Sequence, residues 1–566
     1  MNEATEPNWP ARTAAGRARA AALAGFEPPA EPAEWVEYQS QGRVLIIGPA
    51  DEAWPLAAAL REQLDCFMLA TRPPTESPES APPARYLDGR PRGLSGYLGN
   101  FTLEIEVERG RVLPAAAAFG SDRDSFDLVL DLDGSGNIRV DVPPPGYLLA
   151  TDAQARQSAL EELPGLIGEF QKPRYFAYDA DICAHGARGL SGCSNCLNAC
   201  ATGAILSIGE TIEVNPYLCQ GCGSCVTQCP SGALAYQAPT AADLLDAARA
   251  LLRDYREQAA REDQPVTAPS LLLYSAETAA DTVRRNAPDW PENLLPLPVE
   301  DIGAVGLDSW LSMLAYGAAR VLLLPGPTPA PSLVQASQSM LRVVRPILAG
   351  LGDAEADTRV VWLDSAADAG NLPEVAPMVD QPATFGALGG KRELIRRALE
   401  VLHGQADDAQ ATVALPDHAP FGTLDVDADK CTLCMACVSV CPASAVQGGG
   451  EHPRLDFRED HCLQCGLCEQ ACPEDAIDLV ARMNFSAHIE PEKRVLNQAE
   501  LHHCPECGKA FGTRQLMDRM LERLTGHWMF GDEQARRRLL CCEDCRIQKL
   551  WDEQGTLDPK KPDPGQ

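Results

Sequence analysis

The sequence predicts a multidomain chain of mixed class, α+β and α/β together, and three observations carry that prediction. The first is length: 566 residues exceed what one hydrophobic core organises, and roughly three to five domains are expected. The second is the rhythm of residues 269–365, where short apolar runs alternate with helical stretches, the pattern of a parallel sheet wound with helices. The third is the placement of the 22 cysteines. Cys66 stands alone, eight fall between Cys183 and Cys229, none in 230–430, eight between Cys431 and Cys472, and five between Cys504 and Cys545.

Charge and composition narrow the function classes. Asp plus Glu number 80 against 48 Lys plus Arg, a formal charge of −32, which disfavours nucleic-acid backbones and anionic membrane surfaces as partners. A solvated acidic surface is the plain reading; a salt-adapted host and a docking surface for basic partners are the alternatives. The Ala-rich N-terminus has scattered Arg and no continuous apolar h-region, so it does not read as a secretory signal. No run reaches the ~18 apolar residues that would span a bilayer. A cytoplasmic location is expected, and in a reducing compartment this many cysteines point to metal rather than disulfides.

In chain order, residues 1–35 read as a flexible N-terminal segment and 36–170 as an α/β domain. GRVLIIGPADEAWPLAAALREQL at 42–64 gives an apolar strand, a Gly-Pro turn and an amphipathic helix. Gly48 alone is no G-x-G-x-x-G fingerprint, so a plain scaffold is expected there rather than a nucleotide site. FTLEIEVERGRVL at 101–113 and FDLVLDLDG at 126–134 suggest mixed or antiparallel strands.

Residues 171–240 and 418–485 hold four copies of one unit, an internal repeat used twice as a pair. Three copies carry C-x2-C-x2-C-x3-C-P: Cys219, Cys222, Cys225, Cys229; Cys431, Cys434, Cys437, Cys441; and Cys462, Cys465, Cys468, Cys472. This spacing sets three thiolates on a tight loop around one corner of a cubane while the fourth reaches the neighbouring cluster. Small residues between ligands let backbone N–H groups approach the sulfurs, and the apolar pair after each fourth cysteine can pack against the cage. In the remaining copy, DICAHGARGLSGCSNCLNACATGAI, Cys193, Cys196 and Cys200 match the second, third and fourth positions. Cys183 follows D-A-D-I as Cys431 follows D-A-D-K, so the copy reads as complete with seven residues inserted, and Ala201 replaces the usual Pro. Gly186, Gly189 and Gly192 give the insertion a loop composition that can fold back. His185 as a substitute ligand, or a three-iron cluster, are the alternatives; His185 and Arg188 read most simply as a solvated loop.

Residues 241–268 read as a helical linker and 269–400 as a Rossmann-like α/β domain. Its strands are SLLLYS, LLPLPV, RVLLLPG and RVVWLD, with helices at 304–317 and 331–351. A linker follows at 401–417. The C-terminal region, 486–566, carries CPECGKAFG and CCEDCR. Their two C-x2-C pairs, Cys504/Cys507 and Cys542/Cys545, suit tetrahedral zinc, with a helix at QLMDRMLERL inserted between the knuckles. Zinc is expected over mononuclear iron, a redox dithiol is a third reading, and Cys541, His502 and His503 are alternative ligands. Cys66 and Cys541 read as ordinary buried or spare thiols.

The two cysteine-rich modules resemble bacterial-type two-cluster ferredoxins, so the chain as a whole looks like a polyferredoxin. The resemblance implies two [4Fe–4S] clusters per module. In the second module it assigns Cys431, Cys434, Cys437 and Cys472 to one cluster, and Cys441, Cys462, Cys465 and Cys468 to the other. In the first it assigns Cys200, Cys219, Cys222 and Cys225 to one cluster, and leaves Cys193, Cys196, Cys229 and a fourth ligand, Cys183, for the other. The run LPVEDIGAVGLDSWLSMLAYGAARVLLLPG resembles the delta subunit of methyl-viologen-reducing hydrogenases. That family carries cluster-ligating cysteines and this segment has none, which implies a domain that kept its shape and docks a partner or spaces the modules. CPECG is a knuckle shared by zinc ribbons and rubredoxins.

The function expected is single-electron transfer between partner redox proteins. The general plan resembles accessory iron–sulfur proteins of formate dehydrogenases and hydrogenases. A maturation or regulatory factor for such an enzyme, and an oxidoreductase subunit with a flavin in an α/β domain, are the other readings, although no residue pattern supports a flavin. No Ser-His-Asp set, P-loop or paired-carboxylate motif suggests an active site of its own.

Overall fold

The computed structural model describes residues 9–26, 34–75, 83–107, 110–450, 452–524 and 532–553. Residues 1–8 and 27–33 of the expected N-terminal segment, and 554–566 of the C-terminal region, lie outside the described residues. The chain divides into two compact units, Met1–Ala180 with Ser194–Ala409, and Asp181–Cys193 with Gln410–Gln566. The division therefore falls twice inside the first cysteine-rich region, before Asp181 and after Cys193, and once more after Ala409.

Two parallel sheets organise the first unit. One runs in the order Arg85–Asp88, Asp65–Arg72, Arg43–Pro49, Leu128–Asp131, Tyr147–Leu149, with every neighbouring pair parallel. The central strand Arg43–Pro49 is buried along its whole length, and its side chains alternate between faces with the period of two that a strand imposes. Val44 and Ile46 enter one core with Leu56 and Leu60; Leu45 and Ile47 enter the other with Phe67 and Phe101. Burial on both faces is why this strand reads as an unbroken apolar run. Gly48 has a packing reason, since a Cβ there would stand 2.7 Å from Leu132 Cβ. Asn100–Val107 and Arg111–Pro114 form an antiparallel sheet with Arg90–Tyr97. The strand expected at 126–134 behaves differently: Leu128–Asp131 is buried at every position and enters the parallel sheet.

The second parallel sheet runs Leu294–Val299, Ser270–Ser275, Val321–Leu324, Val360–Trp362. The helical stretches read at 304–317 and 331–351 are Leu307–Ala315 and Pro331–Gly350, and the helix Lys391–Gly404 packs on the former. Ala241–Ala259, read as part of a linker, is an amphipathic helix started by a Thr240/Asp243 capping box. It buries Leu244, Leu245, Ala248, Leu251, Leu252 and Tyr255 at helical spacing and packs against the helix Ala14–Ala24. The flexibility expected of 1–35 does not extend to that helix. Thr13 caps it, and buried Arg19 donates to the carbonyls of Pro10 at 2.6 Å and Pro291 at 3.2 Å.

In the second unit, Thr412–Ala414, Ile477–Asn484 and Gly422–Val426 form one antiparallel sheet and Val446–Gly448, Arg454–Phe457 and Arg494–Gln498 another. The hairpin Leu501–His503 with Ala510–Thr513 follows, then the helices Arg514–Leu524, Glu533–Leu539 and Glu543–Glu553. No helix among the described residues is long and apolar enough to cross a membrane.

Candidate metal centres

The three intact half-motifs share an unusual backbone. The residue two after the first cysteine and the residue after the second have positive φ in each: Gly221 and Gly223 (76° and 73°), Leu433 and Met435 (54° and 63°), Gln464 and Gly466 (53° and 80°). Alternating left-handed residues curl successive N–H groups toward one point, a concavity suited to an anionic group. Leu433, Met435 and Gln464 hold this conformation despite a side-chain penalty of about 1–2 kcal/mol each, the kind of strain found at functional sites. Each third cysteine then rides a short helix, Ser224–Gln228, Ala436–Val440 or Leu467–Gln470.

In the second module this backbone lines two hollows. One, of about 320 Å³, has Cys431, Cys434, Cys437 and Cys472 in its wall with Leu433, Leu455 and Ile477. The other, of about 350 Å³, has Cys441, Cys462, Cys465 and Cys468 with Leu424, Val446 and Leu479. Each wall therefore draws three cysteines from one half-motif and the fourth from its partner. Burial beside neighbouring thiols pushes Cys437 up to about 12 and raises Cys468 and Cys465 as well. Crowded, buried thiols resist becoming anions by themselves, and a bound cationic iron centre is what makes them thiolates. All of the cysteines are free of disulfides, so this donor set fits the iron–sulfur group that the sequence implies.

In the first module Cys225 is raised well above an ordinary thiol by burial and by its neighbours Cys222, Cys219 and Cys200. Cys222 is pushed up to about 11, again by burial first. The alanine four residues after a fourth cysteine has a role that the sequence suggested only as packing: its N–H donates to the thiol. Ala204 reaches Cys200 Sγ at 3.2 Å, Ala445 reaches Cys441 Sγ at 3.2 Å and Ala476 reaches Cys472 Sγ at 3.4 Å. At Cys229 the arrangement changes. Ala233 N–H donates to Ser231 Oγ at 3.2 Å, and that hydroxyl lies 3.7 Å from Cys229 Sγ.

Two lysines that sequence reading passed over grip the first module's ligand residues. Lys172 Nζ donates to the carbonyls of Cys219 at 2.6 Å and Tyr217 at 2.9 Å and stands 5.0 Å from the centre of the Tyr38 ring. Burial brings its pKa down to about 8. Lys391 Nζ donates to the carbonyls of Val226 (2.9 Å), Thr227 (2.8 Å) and Cys229 (3.0 Å). No local pattern links either lysine to a cysteine more than 40 residues away; only the fold does. The α/β domain is equally close to this module, because Thr227 Oγ1 donates to Gly303 O at 2.5 Å and Gln228 Nε2 to Ala336 O at 2.9 Å.

The broken half-motif is a hairpin. Gly186–Ala187 pairs with Leu190–Ser191 around Arg188 and Gly189, both at positive φ (52° and 79°), as a two-residue hairpin turn requires. Gly192 N–H donates to His185 O at 2.7 Å and Cys193 N–H to Ala184 O at 2.8 Å, so Cys183 and Cys193 stand at the two feet of the hairpin. The insertion lengthens the sequence between them while the ladder closes the gap. His185 Nδ1 lies 2.9 Å from Cys193 O. Arg188 at the hairpin's tip is exposed, as a solvated loop requires, and the hairpin is tied by exposed hydrogen bonds: Arg188 Nε donates to Ser439 O at 3.2 Å and Gln470 Nε2 to Ser191 O at 2.9 Å. Cys196, in the short helix Asn195–Asn198, and Cys229 belong to the first unit, Cys183 and Cys193 to the second. Ser194 departs from its sister positions, with φ −122° in place of the left-handed residue.

The C-terminal cysteines form a smaller set. One ligand atom each from Cys504, Cys507, Cys542 and Cys545 lie within 4.8 Å of one another, and Cys507 Sγ stands 3.6 Å from Cys542 Sγ. Four thiolates about 2.3 Å from one zinc ion are spaced on this scale, so the tetrad can bind a single metal ion. Burial opposes ionisation of Cys504, but backbone N–H groups of Cys542, Cys507 and Glu506 outweigh it and bring the thiol down to about 6. The alternative ligands are engaged elsewhere: His502 Nε2 is 2.9 Å from Leu540 O, His503 Nδ1 is 3.1 Å from Gly508 O, and Cys541 Sγ is 3.4 Å from Arg537 O. The helix expected between the knuckles is Arg514–Leu524.

Residues 170–233 and 430–476 match the 4Fe-4S dicluster domain family. Both cysteine-rich modules are thus iron–sulfur domains of a type that transfers electrons. No curated protein matches the chain.

Proposed function

We propose that the protein is a one-electron carrier that holds four [4Fe–4S] clusters and relays electrons between partner redox proteins. The observation that carries the reading is the crossed lining of the second module's two hollows, three cysteines from one half-motif and one from the other in each. The ligand sets are Cys431, Cys434, Cys437 and Cys472; Cys441, Cys462, Cys465 and Cys468; and Cys200, Cys219, Cys222 and Cys225. The repeat supplies the fourth set, Cys183, Cys193, Cys196 and Cys229. When bound, each cluster accepts and releases a single electron.

The chain's own groups do the rest. Left-handed loop residues and the Ala204, Ala445 and Ala476 amides aim N–H donors at the sulfurs, which stabilises added negative charge. Leu424, Leu455 and Ile477 keep water from the cages. The tetrad Cys504, Cys507, Cys542 and Cys545 holds zinc as a closed structural site. Formate dehydrogenase- or hydrogenase-type enzymes are the partner class, on the resemblance of the chain's general plan to accessory iron–sulfur proteins of such enzymes, and the cytoplasm is the compartment.

Mixing the reduced, anaerobic protein with an apo-ferredoxin and with a low-potential viologen acceptor tests the reading. A carrier reduces the acceptor and keeps its iron. Transfer of iron to the apo-protein would replace the carrier with a maturation factor, and one flavin per chain would replace it with an oxidoreductase subunit. Metal analysis after mild chelation is expected to find one zinc per chain, lost in Cys507→Ser.

A further inference from the structure

Lys391 opens the helix Lys391–Gly404, where the macrodipole disfavours a cation. Its position is therefore not explained by the helix it belongs to. An ammonium has three N–H donors, and Lys391 points all three at one target: the carbonyls of Val226, Thr227 and Cys229, at 2.9, 2.8 and 3.0 Å. These close the short helix Ser224–Gln228 that carries Cys225, and the last belongs to a fourth-position cysteine. Since all three donors go to neutral carbonyls, no carboxylate among these contacts cancels the charge. A fixed positive charge beside a redox centre favours the state with one more electron, and the effect is strong where water is excluded.

Resting on the carrier reading above, we propose that Lys391 is a positioning residue that sets the potential of the first module, making its clusters the preferred seat of an electron over those of the second. Lys172, on the carbonyl of Cys219, adds to the same bias. In the second module the recorded neighbours at ligand residues are neutral, Asn497 Nδ2 at 3.4 Å from Cys431 O and Gln464 Nε2 at 3.3 Å from Cys462 Sγ. Of the cations nearby, Lys430 is paired with Asp427 and Arg482 with Glu459, while Arg188 and Arg494 donate to the carbonyls of Ser439 and Leu424, neither of them a ligand residue.

The test is an EPR-monitored redox titration of the anaerobic full-length protein, with second-module signals identified by their loss in a Cys437→Ser/Cys468→Ser variant. In Lys391→Gln the midpoint of a first-module signal is expected to fall while the second-module midpoints and the iron content hold. In Lys391→Arg, which keeps the charge, the midpoint is expected to stay at the wild-type value. An unchanged midpoint in Lys391→Gln at full iron, or an equal fall in Lys391→Arg, would overturn the proposal. Should Lys391→Gln shed iron, Lys391→Arg decides: wild-type iron and midpoint support the proposal, and a lowered midpoint or lost iron overturns it. Failure of the carrier reading looks different, because wild-type protein would then lack about sixteen irons or reversible reduction.

Discussion

The two cysteine-rich modules share one plan and differ in what surrounds it. In both, paired left-handed residues wind a loop, a short helix carries the third cysteine, and the N–H of a following alanine meets the fourth. Both half-motifs of the second module lie in one unit, and its charges are paired within that unit, Arg482 with Glu459 and Glu474 with Arg519. The first is drawn into its surroundings. Lysines from outside its loops grip two of its ligand residues, its carbonyls and side chains bond to the α/β domain, and one half-motif opens into a hairpin that packs in the second unit. The difference teaches that a repeat fixes the ligand geometry while non-repeated neighbours give each copy its own electrostatics.

The largest expected effect breaks the second module at a shared ligand position. Cys472→Ser is expected to lower the iron content by about four per chain and leave first-module signals in place; full iron in that variant would show that the crossed ligation is not needed. Cys183→Ala asks whether the opened half-motif still behaves as its sisters do. It too is expected to lose about one to four irons, and unchanged iron with unchanged spectra would remove Cys183 from the ligand set.

Stability separates the modules at a middle scale. Arg482 holds the buried Glu459 carboxylate in two contacts of 2.7 Å, three residues before Cys462. Arg482→Ala leaves that carboxylate unpaired and is expected to cost the second unit about 3–5 kcal/mol, read as an earlier transition in thermal unfolding of the holo-protein with the first unit's transition unmoved. The smallest effect is at Ser231, whose hydroxyl stands between Ala233 N–H and Cys229 Sγ. Ser231→Ala removes one weak donor near the sulfur, on the order of 0.5–1.5 kcal/mol, and is expected to shift one first-module midpoint slightly downward at unchanged iron.

The local parts of this arrangement were legible in the sequence, because they depend on fixed spacing. C-x2-C-x2-C-x3-C repeats, buried-strand runs such as VLII, and paired C-x2-C knuckles each encode geometry within a dozen residues. The helix at 241–259 was legible as a helix and misread as a linker, since its apolar face has meaning only against the helix Ala14–Ala24. Leu128–Asp131 was legible as a strand, while its partner was not, because parallel pairing depends on a distant strand. The turn composition of the insertion was visible, but not that its ladder would bring Cys183 and Cys193 to the feet of one hairpin. Lys172 and Lys391 carry no local signal at all, and nothing short of the folded chain connects them to Cys219 and Cys229.

Iron and acid-labile sulfide counting on the anaerobically purified chain, joined to spectroelectrochemistry, tests the central claim most directly. The account predicts about sixteen irons per chain and reversible one-electron reductions at low potential, without flavin. About eight irons, or iron lost on the first reduction cycle, would contradict it.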